Sequence, residues 1–372
     1  MNIAVNAFFL PGSFPESGSH FIITSFTSIA AQFPEHQFIF ITDKATLFTF
    51  PSEKNCTNII VGPEIKNSLR LKYWLNYKVP TLLLKHHVDV FVTSAVCSLR
   101  SKIPQCLIIN ELSFLTQKNE LAKNWNRYLK KNTADFLSAA KTIVATSVFL
   151  QQQLINIYNT KNNTPFLVYK NAPPIFHPVD WEQKENIKQQ YCLGKEYFFY
   201  SGNIGSQHNL IPLLKAFSFF KKRQKSNMQL VLVSTSACDT ALSKSLSLYK
   251  YKTDIQLLEY ASIETIALLT SAAYAVVNPT FEEGFNIGAV EAMQSGTPLI
   301  ISNIPVIQEI CGDAALFINP TDFNDIADKM MLLFKDENKK KELITKGLQQ
   351  STKFSKQKSN EQLWQAVVNE LK

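Results

Sequence analysis

Ala275-Val276-Val277-Asn278-Pro279-Thr280-Phe281-Glu282-Glu283-Gly284-Phe285-Asn286-Ile287-Gly288-Ala289-Val290-Glu291-Ala292-Met293-Gln294-Ser295-Gly296-Thr297-Pro298 reads as strand, loop, helix and turn, and an apolar strand run resumes at 299–302. A strand followed by a helix and a second strand is the unit of a parallel sheet. The same alternation extends in both directions from this segment. Toward the N-terminus strands are predicted at 197–201, 230–234 and 255–259, and toward the C-terminus at 315–318, with helical patterns between them. An earlier series at 2–10, 37–43, 58–61, 88–93, 106–110, 142–146 and 166–170 repeats the pattern. Between the two series lies a polar, proline-containing stretch after Asn171-Ala172-Pro173-Pro174. The expected fold class is therefore α/β, with two doubly wound, Rossmann-like domains. Ligands of such sheets bind beyond the carboxyl ends of the strands.

The loop and helix of the opening stretch carry the chemistry. A helix starting near Asn286 or Ile287 aims unpaired N–H groups at the space in front of it, which suits a phosphate. Glu291 falls inside that helix among Ala289, Val290, Ala292 and Met293. A carboxylate in such a setting is costly unless something donates hydrogen bonds to it, and a ribose diol fits that need. Glu283, on the loop, stands nearer the reacting end. A bland alternative is a helix with one solvent-facing glutamate after a tight turn.

The segment from Glu283-Gly284-Phe285 through Glu291-Ala292-Met293 to Gly296-Thr297-Pro298 resembles the E-x7-E signature of family-4 retaining glycosyltransferases, which have the GT-B fold. Residues 301–305, 309–315 and 319–320, and the opening of the second series at 200–202 and 209–217, are similar to the same family. The resemblance implies two domains facing a central cleft: an acceptor-side domain at 1–175, a nucleotide-sugar-binding domain at 176–355, and a C-terminal helix at 356–372 that crosses back to the first. It also implies that Glu291 binds the nucleotide ribose and Glu283 contacts the donor sugar, with Gly284, Phe285, Asn286 and Ile287 supplying backbone donors. Gly288 stands where the family commonly has proline.

Three departures from the family pattern bear on catalysis. The strand end at 200–202 leads to Gly202-Asn203-Ile204-Gly205-Ser206-Gln207-His208, without the basic pair that neutralises a leaving diphosphate. Gly202, Asn203 and His208 inherit the donor-binding positions, and a protonated His208 supplies part of the missing charge. Asn110 and Glu111 stand where the family has His-Asp, and asparagine cannot titrate. The glycine-rich loop under the donor phosphates is reduced to Ser17-Gly18-Ser19-His20. Two functions remain open: a transferase moving sugar from a nucleoside-diphosphate sugar to a glycan or lipid-linked acceptor with retention, or a catalytically degenerate GT-B subunit partnering an active transferase.

The rest of the chain excludes more than it selects. Six scattered cysteines without C-x-x-C spacing read as reduced thiols, and no histidine pattern offers a metal site. Asp-x-Asp, which metal-dependent GT-A transferases place at a strand end, does not occur, so no cofactor or metal is expected. The N-terminus lacks a leader pattern and no apolar run spans a bilayer, which predicts a cytoplasmic protein. The net charge of +8 carries no nucleic-acid motif with it, so no nucleic-acid partner is expected. Basic and aromatic residues alternate at 66–78 and again at 123–131. Either stretch could lie peripherally on the inner face of a membrane, or pack its apolar residues, such as Leu71, Trp74 and Leu75, into its own domain.

Overall fold

The structure, a computed structural model, describes residues 1–8, 16–44, 53–115, 123–202, 210–234, 240–281 and 284–368. Contacts divide the chain into two units, Met1–Lys170 with Lys356–Lys372, and Asn171–Ser355. The division falls at Lys170 rather than at residue 175. Asn171 onward is tied to the second unit, where Gln294 Nε2 donates to the carbonyls of Pro173 (3.3 Å) and Phe176 (2.8 Å).

In the first unit the strands are β1 (Asn2–Asn6), β2 (Gln37–Thr42), β3 (Cys56–Ile60), β4 (Val90–Ser94), β5 (Gln105–Ile109), β6 (Thr142–Ala145) and β7 (Phe166–Leu167). They form a parallel sheet in the order β3-β2-β1-β4-β5-β6-β7. Its inner strands are near-continuous apolar runs, as expected where both faces are covered. The covering helices are α1 (Glu16–Gln32), α2 (Ser68–Tyr73), α3 (Val79–Lys85), α4 (Lys123–Ala139) and α5 (Val148–Tyr158). A π-helical turn at Trp74–Lys78 joins α2 to α3, and Leu71, Trp74 and Leu75 are fully buried in the unit's own core. Packing within the domain thus accounts for these three residues, while Leu69 (79% exposed) and Tyr73 (47%) face outward.

Two strands, β1 and β7, end well before their predicted last residues, 10 and 170. β1 stops at Asn6, whose side chain accepts from the Phe8 N–H (3.1 Å) and donates to Thr93 Oγ1 (3.0 Å), so the chain turns there. β7 stops at Leu167 because the backbone turns away to meet Ser359, whose hydroxyl donates to the Tyr169 carbonyl (2.7 Å).

The second unit holds α6 (Trp181–Cys192), β8 (Tyr197–Gly202), α7 (Leu210–Gln224), β9 (Gln229–Ser234), α8 (Thr240–Ser247), β10 (Ile255–Glu259), α9 (Ile263–Ala272), β11 (Ala275–Asn278), α10 (Ile287–Gln294), β12 (Leu299–Ser302), α11 (Pro305–Cys311), β13 (Ala315–Ile318), α12 (Phe323–Lys335) and α13 (Glu337–Ser351). Its parallel sheet runs β10-β9-β8-β11-β12-β13. Helix starts are fixed by side chains that accept otherwise orphaned N–H groups. Asp180 and Gln183 form a reciprocal capping box on α6, and Ser262 caps α9. The last helix, α14 (Lys356–Val368), returns to the first unit. There Leu363, Ala366 and Val367 are buried with Phe21, Phe26 and Phe38, and Trp364 stacks on Phe33 at 4.3 Å between ring centroids.

Candidate functional site

Strand order locates the site in each unit. In the second sheet, chain order reverses between β8 and β11, and such a switch point opens a crevice at the carboxyl ends of the two strands. Gly202 ends β8, and the residues after Asn278 leave β11 toward α10. The topology therefore brings Gly202 and the Gly284–Glu291 region, far apart in sequence, to one edge of one sheet. Asn203, His208 and Glu283 lie outside the described residues.

Between β11 and α10 each side chain has a definite local task. Phe285 is buried and meets Phe354 edge-on, with ring centroids 5.9 Å apart and planes at 74°. Its ring anchors the loop and only its backbone remains for a ligand. Asn286 caps α10, its Oδ1 accepting from the Ala289 N–H at 3.1 Å. Ile287 opens the helix, so its N–H is one of the unpaired donors at a positive dipole end. Gly284 is part-exposed at the loop's turn.

Glu291 sits one turn into α10, flanked by the fully buried Ala289, Val290 and Ala292. Among the described residues none donates a hydrogen bond to its carboxylate and none forms an ion pair with it. Burial alone pushes the Glu291 carboxyl up to about 7. A part-buried carboxylate without a donor is what a ligand hydroxyl would relieve.

The first unit has its switch point between β1 and β4, and polar side chains gather at the strand ends there. Asn6 bonds Thr93, and Asn110 Nδ2 donates to Ser94 Oγ at 2.9 Å. Asn110 Oδ1 is buried without a donor among the described residues. Next to it, burial raises the Glu111 carboxyl, opposed by the charge of Lys170 and a hydrogen bond from Ser113. Lys170 is 3% exposed, and burial draws its amine down to about 8 against the pull of Glu111. The sequence points to Asn110 and Glu111, whereas Lys170 stands there only as the last residue of the apolar strand run at 166–170. The signal for it was a lysine closing an apolar strand run with no acid nearby in sequence.

Gly18 is a correction. It lies within α1, which begins at Glu16, and not on a phosphate-cradling loop. A single glycine among residues that tolerate a helix, followed by the apolar run from Phe21, continues the helix instead. Residues 9–15, which join β1 to α1, lie outside the described residues. Five cysteines are free thiols, Cys56, Cys97, Cys106, Cys192 and Cys311, and Cys238 falls outside the described residues. No group of His, Cys, Asp and Glu arranged to hold a metal ion occurs among the described residues. No described helix is long and apolar enough to cross a membrane.

Known proteins similar to this chain point to one class. Residues 182–350, nearly the whole second unit, match the model of the glycosyl transferases group 1 family. The chain is 25% identical over 281 residues to an O-antigen chain mannosyltransferase B of Escherichia coli, covering 75% of this chain and 70% of the relative. It is 26% identical over 273 residues to the O-antigen chain mannosyltransferase RfbU of Salmonella typhimurium, covering 71% of each. Among solved structures, Anabaena HepE in complex with UDP and glucose superposes with a TM-score of 0.78 at 13% identity, over 99% of this chain and 100% of that one. The architecture is that of GT-B glycosyltransferases, with two Rossmann-like domains. Domain and relatives together mark the chain as a glycosyltransferase.

Proposed function

We propose that this chain is a family-4, E-x7-E glycosyltransferase that moves a hexose from a nucleoside-diphosphate sugar to a glycan or lipid-linked acceptor with retention of anomeric configuration. The observation that carries this reading is Glu291, a part-buried carboxylate at a sheet switch point with no donor among the described residues. The ribose hydroxyls donate to it. Glu283 accepts from hydroxyls of the donor sugar, and the free N–H groups at the start of α10 hold its phosphates. During transfer the bond from the anomeric carbon to the diphosphate oxygen breaks, a bond to the acceptor oxygen forms, and the acceptor hydroxyl's proton is released with the nucleoside diphosphate. No metal enters this scheme. On the acceptor side Asn110 Oδ1 is an unpaired acceptor for a sugar hydroxyl, and Glu111 is the titratable group beside it. Mannose is the favoured hexose because both curated relatives are mannosyltransferases. We place the reaction in the cytoplasm, peripheral to the inner membrane face where a lipid-linked acceptor is met.

One observation favours a second reading, a GT-B subunit that binds donor without turning it over. Asn203, Gln207 and His208 stand where a diphosphate leaving group calls for fixed cations. Loss of such a stabiliser typically costs about 10²-fold or more in rate. A transfer assay with nucleotide-linked hexoses, its product anomer read by proton NMR, separates the two. A product of retained configuration supports the transferase, and nucleotide binding without any turnover supports the subunit.

A further inference from the structure

The two basic, aromatic stretches that the sequence sets about sixty residues apart meet in one cavity of the first unit. Its volume is ≈ 320 Å³, and its walls include Lys66 and Ser68 at the start of α2, and Trp125, Arg127, Tyr128 and Lys131 on α4. None of its lining residues is acidic. The chain carries no Asp or Glu between Glu64 and Asp89, and the only acid within α4 is Asp135. Lys66 is partly neutralised by Glu64 at 3.3 Å. Arg127 and Lys131 have no ion-pair partner among the described residues, so two cations face this cavity uncompensated.

The aromatic wall is fixed. Trp125 is 8% exposed, and Tyr128 meets it edge-on at 6.5 Å and lies tilted against Phe136 at 6.1 Å. Burial pushes the Tyr128 phenol up to about 12, so its hydroxyl stays protonated at neutral pH. Asn132, an amide on this wall, is held by donating to the Tyr128 carbonyl at 2.7 Å. The cavity therefore joins cationic and hydroxyl donors to a rigid aromatic surface.

We propose that this cavity is a binding site for a phosphate ester, in which Arg127 and Lys131 hold the phosphate and Trp125 and Tyr128 contact the organic group attached to it. Arg127 can engage two phosphate oxygens through its planar fork, while Lys131 acts as a point charge. Size limits the occupant. Ligand sites commonly span roughly 300–1,000 Å³, so this one is large enough for a phosphorylated head group. All of the lining belongs to the first unit, so the assignment stands independently of the donor site on α10. The phosphate ester has two possible sources, a soluble metabolite or the head group of a lipid, and the same side chains serve either.

The test uses the full chain and two probes: glycerol 1-phosphate followed by phosphorus NMR, and cosedimentation with phosphatidylcholine vesicles with and without phosphatidylglycerol. Arg127→Gln with Lys131→Gln is expected to weaken binding at least about tenfold, because each removes a charge-assisted hydrogen bond. Both sites are exposed on a helix, and an unchanged melting temperature shows that the variant folds. Lys130→Gln with Lys215→Gln removes the same charge from exposed positions outside the cavity and should bind as the parent does. Loss of glycerol phosphate binding identifies a soluble ester as occupant, and loss confined to phosphatidylglycerol vesicles identifies a lipid head group. Binding of neither probe, or equal loss in the control variant, overturns the assignment.

Discussion

Gly288 leaves open the space beside the Glu291 carboxylate: a Cβ on Gly288 would stand 3.9 Å from Glu291 Oε2 and 3.4 Å from Asn286 Oδ1. Both are ordinary contacts, and Gly288 already has a helical backbone in the first turn of α10. Glycine there serves neither a left-handed turn nor a clash-free approach. Gly288→Ala is therefore predicted to stabilise the protein by about 0.4–1 kcal/mol, by restricting the unfolded chain, with nucleotide affinity unchanged. Chemical denaturation and calorimetry read the two effects separately.

Glu291 links nucleotide binding to pH. With its carboxyl at about 7 in the free protein, part of the population is protonated near neutrality. Ribose hydroxyls bond more strongly to the ionised form, so binding draws the group down and releases a proton. Affinity should rise as pH increases from about 6 to 8, and Glu291→Gln should flatten that dependence. The same raised carboxyl works against the free protein. Its contribution to stability is present below the unfolded value near 4.3 and is lost as pH rises through 7. Titrations in buffers of different ionisation enthalpy count the released proton.

Lys170 and Glu111 compensate one another inside the first unit. Removing the lysine leaves a carboxylate without its cation. Lys170→Met is expected to destabilise by about 1–3 kcal/mol at pH 8 and by less as the pH falls, because burial favours the protonated form of Glu111. Adding Glu111→Gln should recover much of the loss. In the parent, the lowered lysine makes stability rise with pH between about 8 and 10.4, because the unfolded chain then binds more protons. Urea denaturation at several pH values measures both trends.

The return of α14 to the first unit rests on a few apolar side chains. Leu363 is fully buried among Phe21, Phe26 and Phe38. Leu363→Ala should cost about 2–5 kcal/mol by opening a cavity, whereas the neighbouring exposed Gln365→Ala should be close to neutral. Thermal melts of the two variants provide the comparison.

Periodicity made most of the fold legible, because short apolar runs bounded by turn residues alternate with longer helical patterns along both halves of the chain. The strands at 255–259, 275–278, 299–302 and 315–318 were readable to the residue. Errors arose where side-chain bonds, not apolar pattern, end an element. Asn6 stops β1 by pairing with Thr93, and Ser359, 190 positions away in sequence, captures the backbone after β7. Gly18 was misread because a lone glycine is compatible with loop and helix alike. At the site, Glu291 was legible from its apolar neighbours, but Phe285 as an anchor required knowing that Phe354 folds against it. The cavity between residues 66–68 and α4 was invisible for the same reason, since nothing local in either stretch reports the other.

Calorimetric titration of UDP, GDP and ADP into the parent chain and Glu291→Gln tests the central claim most directly. One nucleoside diphosphate should bind the parent, and the substitution should weaken it by at least about tenfold with the melting temperature of the free protein retained. Binding of none of the three, or equal binding by the variant, would contradict the assignment of Glu291 as the ribose-holding group of a nucleotide-sugar transferase.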